Sequence, residues 1–297
     1  MRALAVATLL ALTSGKSIFA WTKQKPRIPA LVLTYDDRRP LARFVIRQYE
    51  SLWPDHPFQF FVPIQKRDVD YSYFGDAVTL VDAPDAAISA TMLTLLRAAT
   101  SSPNDIVYFA NDDKYPIHID SERASAATEL VRGAINDETF GGLHLGCFRG
   151  SHFTKDQCKQ LRNATDPLLL VKCDGYCKCF FCHHFSRAWV FDAFYSATLK
   201  FEQHGGLTHA KEYDNVKGNA IHSALRNRPP EHLGSSFVSL ARDAITLEES
   251  THHGKITNKT LACLGDGCSE GLAAHFLPSL KFNIAPFTSC PIPKRPC

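Results

Sequence analysis

The sequence predicts an α/β fold in which a largely parallel sheet is flanked by helices. Short β-prone segments alternate with segments whose apolar residues have helical spacing, and acidic residues follow several of the predicted strands. Alternation of this kind is typical of parallel strands joined by crossover helices. All ten cysteines follow residue 146, which predicts a looser, disulfide-rich C-terminal half.

Four strands and two helices are predicted between residues 29 and 120. They are, in order, a strand at 29–34, a helix at 41–53 that Pro54 ends, strands at 58–63 and 77–81, a helix at 90–99 capped by Ser89, and a strand at 106–110. The last strand shows no alternation of apolar and polar residues, as expected for a strand covered on both faces.

Further elements are predicted beyond residue 120. They are a helix at 121–134 with Ala126, Leu130 and Val131 inward, a strand at 141–146, a mixed strand and helix segment at 185–199, a helix at 218–226 and an extended tail at 278–297. No Walker-type loop and no Gly-x-Ser-x-Gly elbow occurs in the chain.

The end of the strand at 106–110 carries the strongest chemical signal. Asp112 and Asp113 stand side by side directly after it, and two neighbouring carboxylates repel each other unless a cation or hydrogen-bond donors compensate. Hard oxygen ligands of this kind suit Mg²⁺ or Mn²⁺ carrying substrate phosphates. The alternative is an ordinary turn that Asp113 caps while Asp112 is solvated.

Several polar segments are expected to meet at one edge of the sheet, because ligands of such sheets bind at the carboxyl ends of the strands. These segments are Tyr35, Asp36, Asp37, Arg38 and Arg39 after the first strand, Asp82 after the third, and Asp112 with Asp113 after the fourth. Solvated loop charges are the alternative interpretation of Arg38 and Arg39, since loops are polar by default.

Composition indicates a globular protein without an electrostatic preference for nucleic acid. The 297 residues are 45% hydrophobic and 21% charged, so the chain can bury a large core. The net charge is only +3, with basic and acidic residues interspersed. Nucleic-acid binding therefore receives no support from charge.

The N-terminus predicts a secretory signal peptide at 1–20. Arg2 precedes an apolar run at 3–12, and small residues stand before Trp21. The run is too short for a transmembrane span, and the alternative is an apolar strand or helix of the fold itself. An even cysteine count and the glycosylation patterns at 163–165 and 258–260 also agree with a location in the secretory pathway lumen or outside the cell.

A cluster of cysteines and histidines offers a competing chemical interpretation. It consists of Cys173, Cys177, Cys179, Cys182, His183 and His184. These residue types could hold zinc, but paired CxxC arms separated by a long loop are absent, and an oxidising compartment favours disulfides. His183 and His184 are then expected on a loop.

The order of these motifs resembles a GT-A nucleotide-sugar glycosyltransferase. The resemblance rests on the first strand with its polar loop, the segment 88–93, the segment 106–116 with Asn111, Asp112 and Asp113, and the later acidic segment 211–214. It covers roughly residues 29–228. The family usually places its two carboxylates around one intervening residue, whereas here they are adjacent.

The resemblance implies a role for each motif. Asp112 or Asp113 would hold Mn²⁺ or Mg²⁺ at the leaving diphosphate, with His222 as a third metal ligand or phosphate donor, although a lone helical histidine is often structural. Asp214 or Glu212 would take the proton of the acceptor hydroxyl. The residues expected at the nucleotide are Tyr35, Asp37, Arg38, Arg39, Asp82, Ser89, Asn111 and Asp112.

The predicted protein is thus a metal-dependent, inverting glycosyltransferase built as one domain over 21–297. Its parts are a nucleotide-binding half at 29–120, an acceptor-side half at 121–240 and a cysteine-containing extension at 241–297. Its partners would be a nucleotide-sugar donor and a glycan, protein or small-molecule acceptor. Two alternatives stay open: a hydrolase using Asp112, Asp113 and Asp214, and a disulfide-stapled binding protein without catalysis.

Overall fold

The computed structural model describes residues 25–35, 38–65, 74–75, 77–83, 87–137, 139–146, 168, 170–172, 183–203, 236–240, 243–252 and 255–256. Several predictions lie outside these residues. They concern the signal peptide at 1–20, every cysteine, both glycosylation patterns, the helix at 218–226 and the tail at 278–297.

Strands and helices alternate in the first half, as predicted. The strands are β1 (Ile28–Leu33), β2 (Phe58–Ile64), β3 (Val78–Asp82), β4 (Ile106–Asn111), β5 (Lys114–Ile119), β6 (Phe140–His144), β7 (Leu170–Lys172), β8 (His184–Arg187), β9 (Ser236–Leu240), β10 (Ile245–Glu249), β11 (Thr251–His252) and β12 (Lys255–Ile256). The helices are α1 (Arg39–Leu52), α2 (Ile88–Ala99), α3 (Ser121–Gly133) and α4 (Ala188–Gln203), with a short 3₁₀ turn at Ala134–Asn136.

Eight strands form the main sheet in the order β3-β2-β1-β4-β8-β6-β9-β7. The first four are parallel, which confirms the α/β class and the parallel sheet for this half. The other half is mixed, because β8 runs antiparallel to both β4 and β6 while β9 is parallel to β6. Two further two-stranded pairs lie outside this sheet, β5 with β10 and β11 with β12.

Both faces of the parallel half are buried. Ala30 and Val32 of β1 belong to the core that contains α1 and α3, whereas Leu31 and Leu33 belong to the core that contains α2 and α4. All six residues of β4 are buried. Coverage on both sides explains why these strands are apolar without alternation.

The start of α2 differs from the prediction. The helix begins at Ile88 and its N-cap is Ala87, so Ser89 does not cap it. Ser89 lies instead in the first turn with its side chain fully buried. A serine before an apolar run usually marks the start of a helix, but here the buried face of the helix already includes Ser89.

The inward face of α3 was also predicted with the wrong phase. Asp120 caps this helix by accepting a hydrogen bond from the backbone N of Arg123 at 3.1 Å. Of the three residues expected inside, only Val131 is buried, while Ala126 and Leu130 are half-buried. The other buried positions are Ala124, Ala127 and Thr128. Small residues fill this face, so hydrophobicity alone could not define it.

One arginine fastens the end of α3 to the sheet. Arg187, at the end of β8, is almost fully buried, and its five N–H groups donate to backbone carbonyls. The acceptors are Asn104 at 2.8 Å, Ile135 at 2.7 Å, Ala134 at 2.8 Å, Asp137 at 2.9 Å and Phe140 at 3.2 Å. Burial lowers the pKa of Arg187, with Asp137 opposing this shift.

Within the described part of the chain, no helix is long and apolar enough to cross a membrane.

Candidate functional site

The site is built on the tight turn formed by Asp112 and Asp113, called here the acidic turn. It joins β4 of the main sheet to β5, which leaves that sheet and pairs antiparallel with β10. The backbone N of Asp112 donates to the carbonyl of Leu33 at 3.1 Å. The acidic turn is therefore attached to the carboxyl end of β1, at the edge of the sheet where ligands of α/β proteins bind.

Ser250 holds the acidic turn from the opposite side. It follows β10 directly and is fully buried. Its backbone N donates to the carbonyl of Asp113 at 2.7 Å, and its hydroxyl donates to the carbonyl of Asp112. With the contact to Leu33, these bonds fix the backbone of both acidic residues.

The side chain of Asp112 is buried and has two partners. The hydroxyl of Thr34 donates to Oδ2 at 2.7 Å, and the guanidinium Nη2 of Arg38 lies 3.1 Å from Oδ1. The pKa of Asp112 is raised to about 7, chiefly by burial and also by Asp113, while Arg38 and Thr34 oppose the shift. Burial and Asp113 thus outweigh Arg38 and Thr34, and the charged form of Asp112 is less stable here than in water. A further positive charge near Asp112 would stabilise that form.

Asp113 is the accessible member of the pair. Its side chain is 47% exposed, and its Oδ1 accepts a hydrogen bond from the same Nη2 of Arg38. Burial lowers the pKa of Arg38, but the two carboxylates outweigh that effect and the pKa lies above its usual value. Two carboxylates thus share one guanidinium.

A buried chain of hydrogen bonds supports the residue before the acidic turn. The backbone N of Asn111 donates to Nε2 of His183 at 3.2 Å, which assigns the ring proton to Nδ1. Nδ1 then donates to the hydroxyl of Tyr49 at 2.6 Å, and this hydroxyl lies 2.9 Å from that of Tyr108. Burial lowers the pKa of His183 to about 3, so its ring is neutral.

Of the two histidines of the cysteine cluster, His184 is a strand residue, contrary to the expectation of a loop, while His183 lies in the bend directly before β8 and is buried. His183 uses both ring nitrogens within the core and has none left for zinc in this arrangement. His184 begins β8, is fully buried, and packs against the rings of Phe109 and His144. The cysteines themselves lie outside the described residues.

The structure brings together some of the predicted residues and separates others. Arg38 precedes α1 and contacts the acidic turn, and Arg39 is the first residue of that helix. The carbonyl of Tyr35 accepts a hydrogen bond from the backbone N of Arg38, and Asn111 directly precedes the acidic turn. Asp82 ends β3, three strand spacings or roughly 14 Å from β4. Ser89 is buried. The predictions for Asp37, Glu212, Asp214 and His222 lie outside the described residues.

Three residues that hold the acidic turn in place were missed: Thr34, His183 and Ser250. Thr34 could have been found, because it ends the predicted first strand at the predicted ligand edge. Ser250 carries no comparable signal, since it lies 138 positions from Asp112. His183 drew attention only as a zinc candidate.

The acidic turn fits a divalent cation. Its donor groups are carboxylate oxygens, and Oδ1 of both residues already lies against a cation, the guanidinium of Arg38. Among the described residues no group of three histidine, cysteine or acidic side chains could enclose a metal. One or two carboxylates that leave the remaining positions to water and substrate phosphates are the usual arrangement for Mg²⁺.

Comparisons with known proteins find similarity to solved structures and not to any family profile or curated sequence. The chain is similar to the galactosyltransferase LgtC in complex with donor and acceptor sugar analogs, at 12% identity over 86% of this chain and 97% of that one, with a TM-score of 0.40. It is also similar to the mannosyltransferase PcManGT from Pyrobaculum calidifontis in complex with GDP-Man and Mn²⁺, at 16% identity over 88% and 66%, with a TM-score of 0.38.

Proposed function

We propose that this protein is a glycosyltransferase that moves a sugar from a nucleotide-sugar donor to an acceptor hydroxyl. The observation that carries the proposal is the acidic turn, which stands at the carboxyl edge of a parallel sheet with its backbone fixed by Leu33 and Ser250. Its net negative charge suits a cation that carries a diphosphate.

The residues of the turn would have distinct duties. Asp113 is half-exposed and would contact a bound divalent ion directly, while Asp112, oriented by Thr34, would be its buried partner. When bound, such an ion would stabilise the negative charge that develops on the leaving diphosphate. Arg38 would supply a further positive charge at the same edge.

The acceptor side of the proposal follows from the chemistry of transfer. The acceptor oxygen bonds to the anomeric carbon as the bond from that carbon to the diphosphate breaks, and the hydroxyl proton must go to a base. Asp214 or Glu212 is proposed as this base. A single displacement inverts the configuration at the anomeric carbon.

Nucleotide binding tests the donor site. We expect nucleoside diphosphates to raise the melting temperature of the protein only when Mn²⁺ or Mg²⁺ is present, because the cation links the phosphates to the acidic turn. Asp113→Asn should weaken Mn²⁺ and nucleotide binding together, by about tenfold or more each, in calorimetric titrations. Asp192→Asn, which alters an exposed carboxylate on α4, is the matched control.

Equal nucleotide affinity in the wild type and in Asp113→Asn, with metal present, would remove this carboxylate from the donor site. If no nucleoside diphosphate binds under any metal condition, the proposed function itself fails. A disulfide-stapled binding protein would then be the better interpretation of the chain.

The acceptor base has a separate test. Asp214→Asn and Glu212→Gln should leave donor affinity nearly unchanged. The variant that lacks the base should lose about a hundred-fold to ten-thousand-fold in kcat, because the base acts in the transition state. Turnover is followed as release of the nucleoside diphosphate in the presence of acceptor. Full activity in both variants would contradict the assignment of the base to this segment.

A further inference from the structure

We propose that Arg38 is a built-in counterion, which a divalent cation must displace from Asp112 and Asp113 before it can occupy the acidic turn. This inference rests on the proposed function and adds a property to the same site. In the resting protein the guanidinium takes the place of the metal, so the affinity for metal is set by a competition inside the chain.

The competition follows from shared atoms. One nitrogen, Nη2 of Arg38, contacts Oδ1 of both Asp112 and Asp113. Asp112 and Asp113 would hold a Mg²⁺ or Mn²⁺ ion through their carboxylate oxygens, and Oδ1 of each residue already contacts the guanidinium. The guanidinium and the ion cannot occupy one position, and their like charges repel each other.

Asp112 cannot yield instead. Asp112 is buried, its Oδ2 accepts the hydrogen bond from Thr34, and its backbone is held by Leu33 and Ser250. The side chain of Arg38 is more accessible, at 26% exposed against 2% for Asp112, and Arg38 directly precedes α1. The arginine is therefore the partner that moves.

Displacement changes how metal and nucleotide depend on each other. A freed guanidinium next to a divalent ion is repelled by that ion and attracted by a diphosphate. The nucleotide therefore stabilises the displaced arrangement, and metal should bind more tightly when nucleoside diphosphate is present. By linkage, metal must raise the affinity for the nucleotide by the same factor.

Metal titration without nucleotide tests the competition directly. The amount of free Mn²⁺ is read from its electron paramagnetic resonance signal for the wild type, Arg38→Met and Arg38→Lys. We expect Arg38→Met to bind Mn²⁺ about tenfold to a hundredfold more tightly than the wild type, the factor that corresponds to one hydrogen bond to a charged group. Arg38→Lys keeps the charge but loses the planar fork, and it should fall between the two.

Arg97→Gln controls for net charge. Arg97 is exposed in the last turn of α2, which runs back toward the opposite edge of the sheet, and its substitution removes the same unit charge. Its Mn²⁺ affinity should equal that of the wild type. Asp113→Asn in the Arg38→Met background should abolish the gain, which shows that the added affinity belongs to the acidic turn.

Thermal stability gives a second readout. In the presence of a chelator, Arg38→Met should melt below the wild type, because two carboxylates lose their shared cation. Saturating Mn²⁺ should close most of that gap, because the ion then compensates the same charges. A gap that Mn²⁺ leaves unchanged would mean that Arg38 is only a structural partner.

Three outcomes would overturn the inference. Equal Mn²⁺ affinity in the wild type and Arg38→Met would refute displacement while leaving the proposed metal site intact. An equal gain in Arg97→Gln would assign the effect to net charge. Absence of Mn²⁺ binding in every variant would remove the metal from the proposed function and this inference with it.

Discussion

Two arginines of this protein illustrate two ways of burying a positive charge. Arg187 donates to five backbone carbonyls, all neutral and all fixed in place by the fold. Arg38 instead lies between two carboxylates that are negatively charged and at the ligand edge. On the proposed function a metal ion would take the place of Arg38 beside these carboxylates, whereas Arg187 is bound to neutral carbonyls that the fold itself supplies.

The partners of Arg187 explain its structural role. Two of them, Ala134 and Ile135, lie directly after α3, where a cation also interacts favourably with the negative end of the helix dipole. The other carbonyls belong to the loops before β4 and β6 and to Phe140, the first residue of β6. One side chain thus ties a helix end to two loops.

Arg187→Met should produce the largest loss of stability. We expect the free energy of unfolding to fall by about 3 to 5 kcal/mol, since several buried carbonyls would lose their donor. Urea denaturation measures this loss, with Arg47→Met as a control at an exposed arginine on α1. A loss below about 1 kcal/mol would mean that water replaces the guanidinium without penalty, and the contrast between the two arginines would disappear.

Asp112→Asn should have an intermediate effect that depends on pH. The pKa of Asp112 is about 7 in the folded protein, above its ordinary value of 3.8. The stability that this group contributes is therefore fully present below about pH 4 and is lost as the pH rises through 7. Asparagine removes this dependence, so between pH 4 and 8 the stability of the variant relative to the wild type should rise by roughly 3 to 4 kcal/mol.

Urea unfolding at several pH values, with a chelator present, measures this difference. The slope with pH is the relevant quantity, because a constant offset includes changes in hydrogen bonding to Thr34. A difference that stays flat over this range would show that Arg38 compensates the charge of Asp112 completely, and the acidic turn would then be less attractive to metal than proposed.

Tyr49→Phe should have the smallest effect of the three. It removes the acceptor of the His183 ring proton inside the core, which should cost about 1 to 2 kcal/mol of unfolding free energy. Mn²⁺ affinity should change little, because His183 still accepts from the backbone of Asn111. Tyr108→Phe is the matched control. A large loss of metal binding in Tyr49→Phe would show that the buried chain of hydrogen bonds positions the acidic turn.

The first half of the fold could be predicted closely because its signals are local. The predicted strand at 29–34 is shifted by one residue from β1, the one at 58–63 ends one residue before β2 does, and the helix at 41–53 begins two residues late. Apolar runs, Pro54 and polar strand ends define these elements without knowledge of the rest of the chain. The phase of α3 could not be predicted, since it depends on which small residues pack closely.

The candidate site was predictable only in part, for a related reason. Asp112, Asp113 and Arg38 could be placed at one edge because parallel topology brings strand ends together. Their detailed partners come from distant parts of the chain: Ser250 is reached through the pairing of β5 with β10, and His183 through the pairing of β4 with β8. Neither antiparallel pairing left a recognisable pattern in the sequence.

The position of Ser250 also has a consequence for the order in which this protein is made. The serine that closes the acidic turn lies 138 residues after Asp112. At typical synthesis rates the ribosome needs roughly seven to thirty seconds to cover that distance. Strands β1 to β4, Arg38 and both carboxylates are therefore synthesised well before Ser250, whose hydroxyl and backbone N bond to the carbonyls of Asp112 and Asp113. The geometry of this edge is completed late in translation.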